Sequence, residues 1–293
     1  MLSLVFVSLL WAFSFGLIKD RLAGLDPVAI SVVRLTFAAL VFLPFLRPRA
    51  LPRRDVVALA FIGAIQFGVM YVLYTIAYGY LKAHEVALAT ILTPVYVALL
   101  DAAVENRTRW RHMVAASLAV VGAGVLIWKN RTSDTIITGF LIVQGANLCF
   151  AAGQIAYKRI RPTLPKNITD AAIFFWPCAG AVAVAAVTSF FYTDWSAFRP
   201  SSSQWGVLAY LGVLASGLGF FLWNYGATRV NTGTLAAFNN AKVPLGVLCS
   251  LVFFAEQPAS MPRLIFSLIL LIAAVLLAEW KSTPALPAKK AGR

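Results

Sequence analysis

Apolar residues run along the chain in ten long blocks, separated by short breaks that carry basic residues, Pro or Gly. The blocks cover approximately 2–19, 27–46, 56–80, 84–104, 110–128, 136–157, 168–191, 204–227, 232–255 and 261–280. Each is close to the roughly 20 residues that an α-helix needs to cross about 30 Å of hydrocarbon. The runs are continuous, whereas strands of a membrane barrel alternate apolar and polar positions over about ten residues. The pattern therefore predicts an all-α membrane protein of ten transmembrane helices, with no break long enough to hold a soluble domain. The first block resembles the apolar run of a signal peptide. No basic residue precedes it and no clear small-x-small cleavage site follows, so it is expected to stay as a permanent helix. The end of the chain, 281–293, contains Pro284, Pro287 and Lys289-Lys290 and predicts a disordered basic tail.

Composition agrees with this pattern: 60% of the 293 residues are apolar and only 12% are charged. A soluble domain has nearer 25% charged. The net charge of +14 changes meaning once the spans are placed. With the N-terminus inside, sixteen of the 25 Lys and Arg fall in inner loops or the tail, around 47–54, 107–111, 158–166, 229 and 281–293. Seven fall in outer loops (Lys19, Arg21, Lys82, Lys129, Arg131, Arg199 and Arg263). Arg34 and Lys242 lie within spans. The bias predicts both termini in the cytoplasm, as an even number of spans requires, and it explains the basic excess without nucleic acid. Trp110, Trp128, Trp205 and Trp280 fall at span ends, where interfacial belts place them. The three cysteines, Cys149, Cys178 and Cys249, show neither CxxC spacing nor a nearby His cluster, so no disulfide framework or metal site is indicated.

The two halves, 1–128 and 136–280, each hold five spans and resemble each other. Gly63 to Ala77 can be laid on Gly212 to Gly226, so that Gly68 meets Gly217, Tyr71 meets Phe220 and Tyr74 meets Trp223. Pro94 in the fourth span has its partner in Pro244 in the ninth. Five is odd, so consecutive repeats enter the membrane from opposite sides. The result is an inverted repeat, with a site expected near the midplane where the repeats meet.

A family resemblance rests on particular residues. Leu10-Trp11-Ala12-Phe13-Ser14-Phe15, then Lys19, Asp26-Pro27, Arg34 and Pro44, resembles the first hairpin of the EamA-type drug/metabolite transporters. Gly212-Val213-Leu214-Ala215-Ser216-Gly217-Leu218 with Leu222-Trp223-Asn224-Tyr225 resembles that superfamily's eighth helix, and the spacing of Pro244 and Glu256 its ninth. The resemblance covers nearly the whole chain. It implies a bacterial inner-membrane exporter of small metabolites, with the fifth and tenth helices peripheral and the others around a central cavity. The subgroup it resembles most is the aromatic amino acid exporters of YddG type.

The few polar residues inside spans are the candidates for a substrate path. Lys242 lies about halfway along the ninth span, too deep to reach water comfortably, with Asn239 at i−3 on the same helical face. Pro244 should loosen the backbone there. Lys242 reads as a cationic anchor for an anionic group, or as a structural Lys satisfied by carbonyls or an acid of another helix. Arg34 reads as gating or structural, pinning neighbouring helices with its five donors, and Pro94 and Pro244 are grouped with it. Gln66, Asn147, Gln154 and Asn224 can either glue helices or line the cavity. Asp101, Glu85 and His84 lie near span ends and read as solvated or paired groups. Trp11, Trp176 and Trp223 sit inside spans, and Tyr71, Tyr74 and Tyr78 recur at i, i+3 and i+7 on one helix face. These rings read as the cavity wall, with plain helix packing as the alternative.

No Walker A loop, HExxH or GxSxG motif is present, which argues against ATP coupling in this chain, a cofactor or an enzyme. No acid lies near the centre of any span. Either Lys242 titrates, or the protein is a facilitator driven by the substrate gradient. The expectation is a secondary exporter of aromatic and other neutral amino acids. The alternative is an exporter of other small metabolites (nucleosides, organic acids or drugs). The expected partners are the small-molecule substrate and membrane lipid, in a monomer or weak dimer.

Overall fold

The computed structural model describes residues 1–22, 24–47, 49–77, 79–81, 86, 89–127, 134–245 and 261–280. Tyr78, Glu85, His84, Trp128, Cys249, Glu256 and the tail lie outside them. The described structure is all-helical. In chain order the helices are α1 (Leu2–Arg21), α2 (Pro27–Phe42), α3 (Arg53–Gly63), α4 (Met70–Ala77), α5 (Thr93–Glu105) and α6 (Trp110–Ile127). There follow α7 (Asp134–Ile160), α8 (Asp170–Tyr192), α9 (Ser202–Tyr210), α10 (Gly219–Ala227), α11 (Thr232–Phe238) and α12 (Met261–Glu279). Six continuous helical stretches among the described residues are long and apolar enough to cross a membrane: Pro27–Phe45, Arg53–Ala77, Ile137–Thr163, Asp170–Tyr192, Ser202–Ala227 and Met261–Glu279. The fourth and ninth predicted spans run into residues outside the description.

Short polar caps start these helices where the breaks in hydropathy fall. Asp26 accepts from the Ala29 amide at 2.7 Å ahead of Pro27, and Asn231 accepts from Thr234 at 2.9 Å. Ser201 and Gln204 form a reciprocal capping box. In the loop before it, the Ser196 hydroxyl and amide both donate to Asp194 and hold its carboxyl below the usual carboxylate range.

Two of the stretches contain a π-helical segment, Ala64–Val69 between α3 and α4 and Leu211–Leu218 between α9 and α10. The repeat alignment lays Val69 on Leu218, so the two π segments end at equivalent positions. Insertions of this kind interrupt the regular backbone ladder and recur at functional sites.

Packing across the halves follows the same symmetry. α2 lies on α8 and on the second π segment, while α8 lies on α2, on α3 and on the first π segment. α1 packs on α10, its counterpart α7 on α4, and α6 on α12. Some of these contacts are close enough to demand glycine. A Cβ on Gly63 would fall 1.9 Å from the Pro177 carbonyl oxygen, and one on Gly180 would fall 1.8 Å from that of Ala60. α12 leaves Ile265, Ile269, Ile272 and Leu276 more than half exposed, an apolar stripe suited to lipid.

Candidate functional site

An aromatic and amide cluster sits where the halves meet. Trp11 of α1 is at its centre, its ring 5.1 Å from Trp223, 5.9 Å from Phe220 and 6.2 Å from Phe150. Its Nε1 donates to the carbonyl of Ala215 at 2.8 Å. Ala215 lies in the second π segment, where the shifted ladder makes a backbone acceptor available to a side chain. Phe67 of the first π segment stacks on Phe220 at 4.1 Å, and Tyr71 meets the same ring edge-on at 5.8 Å. Tyr71 and Phe220 are equivalent positions of the two repeats. Equivalent residues can touch only near the pseudo-two-fold axis, so this cluster marks the axis.

Amides knit the cluster together. Gln66 and Asn224, both fully buried, exchange two hydrogen bonds of 2.8 and 3.0 Å. Gln154 accepts from Trp223 Nε1 at 3.0 Å and from Asn239 at 3.4 Å, while its own Nε2 is buried without a partner. Gly153 allows this approach, since a Cβ there would fall 2.1 Å from Gln66 Cβ. Asn147 caps the Ala89 carbonyl at 2.9 Å, and Asn240 the Ile91 carbonyl at 2.7 Å.

Arg34 stands at the edge of the cluster and is 7% exposed. Its Nη2 donates to Ser216 Oγ at 3.1 Å, its guanidinium lies 5.1 Å from the centre of the Tyr71 ring, and its Nε is buried without a partner. Lys242 opens the short helical segment that follows the turn at 239–241, three residues past Asn239; its ammonium is enclosed by protein, and Pro244 is buried two residues on. Among the described residues neither cation has a carboxylate within ion-pair distance.

Of the residues singled out in the sequence, Trp11, Trp223, Tyr71, Gln66, Asn224 and Asn239 come together with Arg34. Two others lie apart. Tyr74 packs with Ala77, Leu81 and Val143 in a separate cluster. Trp176 meets Phe175 within α8, its Nε1 buried and unpartnered. Pro94 is buried in the first turn of α5. Sequence reasoning missed Phe67 and Phe150, which carry no polar anomaly, and quoted Ser216 within the eighth-helix motif without giving it a role; the repeat alignment, which sets Tyr71 on Phe220, was the available signal for that region.

A second polar group gathers at the end of the bundle that holds the Arg-rich loops. Arg159 of α7 reaches Asp101 at 3.6 Å and Glu105 at 3.5 Å, both on α5. Arg109 pairs with Glu105 at 2.9 Å, and His112 lies 3.9 Å from Asp101. Lys158 donates to the Val230 carbonyl. Asp170 takes Arg161 at 2.6 Å and Arg229 at 3.5 Å.

The EamA-like transporter family matches residues 1–128 and 137–279. The chain belongs to this family. It is a multi-pass membrane transporter of a small molecule, not an enzyme. The "Biotin transporter" of Escherichia coli strain K12 is 43% identical over 257 residues, covering 87% of this chain and 85% of that one. The "Probable biotin transporter" of Pseudomonas aeruginosa is 41% identical, covering 89% and 91%. A solved crystal structure of a protein superposes with a TM-score of 0.78 over 95% of this chain and 96% of that one; at 18% identity this likeness concerns the fold alone.

These relatives correct one expectation. Proteins at 41–43% identity are named for a vitamin, so the reading as an exporter of aromatic and neutral amino acids is overturned in favour of other small metabolites. The physical reason is that buried rings and a cation recognise any flat or apolar body bearing a carboxylate. The sequence carried no feature that separates an amino acid from other such acids.

Proposed function

We propose that this protein is a secondary carrier of biotin, working by alternating access about the cluster of Trp11, Tyr71, Phe220 and Trp223. The observation that carries the reading is the 43% identity to the E. coli relative over most of both chains. The chemistry supports it. Biotin joins a compact ring system to an apolar chain ending in a carboxylate, which calls for aromatic surface, amide donors and a cation. The two cations available are Lys242, with Asn239 beside it, and Arg34.

Residues 1–128 and 136–280 form the two inverted repeats. Ten helices span the bacterial inner membrane with both termini cytoplasmic, and the apolar faces meet lipid. Pro94, Pro244 and the glycine-mediated contacts allow the repeats to shift, and the protein works as a monomer or weak dimer.

The test is counterflow of labelled biotin in vesicles reconstituted with the purified protein, with and without a pH gradient. Exchange that unlabelled biotin inhibits, and that phenylalanine and tyrosine leave unchanged, is the expected result. Absence of biotin exchange together with amino acid exchange would sink the proposal. Dependence on the pH gradient would identify proton coupling, and its absence a facilitator.

A further inference from the structure

We propose that Arg34 is the anchor for the substrate's carboxylate, held ready by Ser216 and Tyr71 at the junction of the two repeats. A guanidinium inside a membrane bundle is costly unless an anion or several acceptors satisfy it. Arg34 is nearly fully buried, and its neighbours leave its charge uncompensated. Ser216 is a neutral acceptor, the Tyr71 ring offers only its face, Nε has no acceptor, and no described carboxylate lies within ion-pair distance. The arginines at the far end of the bundle contrast with it: Arg109, Arg159, Arg161 and Arg229 all sit on carboxylates. The Arg34 environment is therefore a site built for an anion that arrives from outside the chain.

The geometry also says what kind of anion. The planar fork of arginine matches a carboxylate with two parallel hydrogen bonds, and the buried Nε–H is one unused prong. Tyr71, beside the guanidinium, adjoins Phe220, which adjoins Trp11. A molecule whose carboxylate docks on Arg34 can thus lay its apolar body along aromatic surface. Lys242 offers a compact point charge on the short helical segment after α11, desolvated as Arg34 is. It lacks the planar hydrogen-bonding edge of a guanidinium, and among the described residues no aromatic ring faces its ammonium as Tyr71 faces Arg34.

The placement has a consequence for transport. Arg34 and Tyr71 belong to the first repeat, Ser216 to the π segment of the second. A carboxylate here binds to a seam whose shape depends on how the two repeats sit, so occupancy is coupled to their relative motion.

The choice of probe rests on the biotin reading, and the experiment separates the two claims. Binding of biotin and of biotinamide, in which the carboxylate is replaced by a neutral amide, is measured on purified wild type and on Arg34→Gln, Arg34→Lys, Ser216→Ala and Lys242→Gln. Wild type is expected to prefer the acid by about 10- to 100-fold, the worth of a charge-assisted hydrogen-bonded pair. Arg34→Gln should reduce the ratio to near one with biotinamide affinity little changed, Arg34→Lys should retain part of it, and Ser216→Ala should lower it a few-fold. Loss of the ratio in Lys242→Gln with retention in Arg34→Gln would overturn the proposal. If Arg34→Gln does not fold, Arg34→Lys and Ser216→Ala decide, and an unchanged ratio in both overturns it. If wild type binds no biotin, the biotin reading fails. The same ratio is then taken for small aromatic monocarboxylates against their amides: its loss in the Arg34 variants upholds the anchor, and a wild type that prefers no acid overturns it.

Discussion

The polar residues inside this bundle divide by whether their hydrogen-bonding groups are used up within the chain. Gln66 and Asn224 consume each other's amides, and each is fully buried. Replacing one alone, as in Gln66→Leu or Asn224→Leu, leaves the other's donor and acceptor unpaired, at about 1–3 kcal/mol. Replacing both together should restore much of the lost stability. Thermal unfolding in detergent is the measurement, with a lower midpoint expected for each single variant and partial recovery in the double. Trp11 is a different case, because its indole both fills the cluster and ties α1 to the Ala215 carbonyl. Trp11→Phe keeps most of the packing and loses that tie. It should slow counterflow several-fold while shifting the unfolding midpoint little, since one net hydrogen bond is worth about 1 kcal/mol. At this scale the sequence was informative about position and silent about pairing. That Lys242 and Arg34 lie in apolar surroundings is plain from the chain alone. Which amides satisfy each other depends on residues as far apart as 66 and 224, and no local pattern encodes it.

At the level of elements, the helices were legible because caps and breakers coincide with the edges of the apolar blocks, as at Asp26-Pro27 and Ser201 with Gln204. The π segments were not, since Ala64–Val69 and Leu211–Leu218 read as ordinary helix in hydropathy. Their trace lay in the repeat alignment, which ends both segments at equivalent residues. Sequence also does not say which glycines are compulsory. Among the small residues inside spans, Gly63 and Gly180 are set against backbone, at Pro177 and Ala60. A carbonyl oxygen cannot turn aside as a flexible side chain can, so a methyl group there must push α3 and α8 apart. Gly63→Ala and Gly180→Ala should each cost about 1–3 kcal/mol or more, seen as a lower unfolding midpoint and a loss of monodisperse protein. Gly206→Ala, whose added methyl meets nothing within 4 Å, should leave both unchanged and serves as the control.

On the scale of the whole molecule, rocking between two states requires an interface that holds one state without locking it. Among the described residues, the ionic link between the halves at the Arg-rich end is Arg159 of α7 on Asp101 and Glu105 of α5, at 3.6 and 3.5 Å, beside a hydrogen bond from Arg111 to the Trp280 carbonyl at 2.8 Å. Its partners are unequal: the Asp101 side chain is almost buried, while those of Glu105 and Arg159 are about a third exposed. Ion pairs with that much access to water are worth about 0.2–1 kcal/mol. The contact therefore biases the equilibrium between open and closed without deciding it. Arg159→Gln should raise the fraction of molecules open at this end, and 1 kcal/mol corresponds to at most about a five-fold change in that equilibrium. The measurement is the reaction of a cysteine placed at Tyr96, inside α5, with a thiol reagent supplied from the side of the Arg-rich loops, on a background in which Cys149, Cys178 and Cys249 are Ser. Labelling should speed up in Arg159→Gln by up to that factor and approach the wild-type rate in Arg159→Lys. Equal rates in all three proteins would mean that the ion pair is incidental and that the closed end is held by apolar packing. The same preparation tests the inferred topology. Cysteine at Thr163 should react with an impermeant reagent only once the membrane is opened, and cysteine at Ser196 should react in intact cells. The opposite pattern would reverse the orientation read from the distribution of Lys and Arg, and with it the side on which Arg159 closes the path.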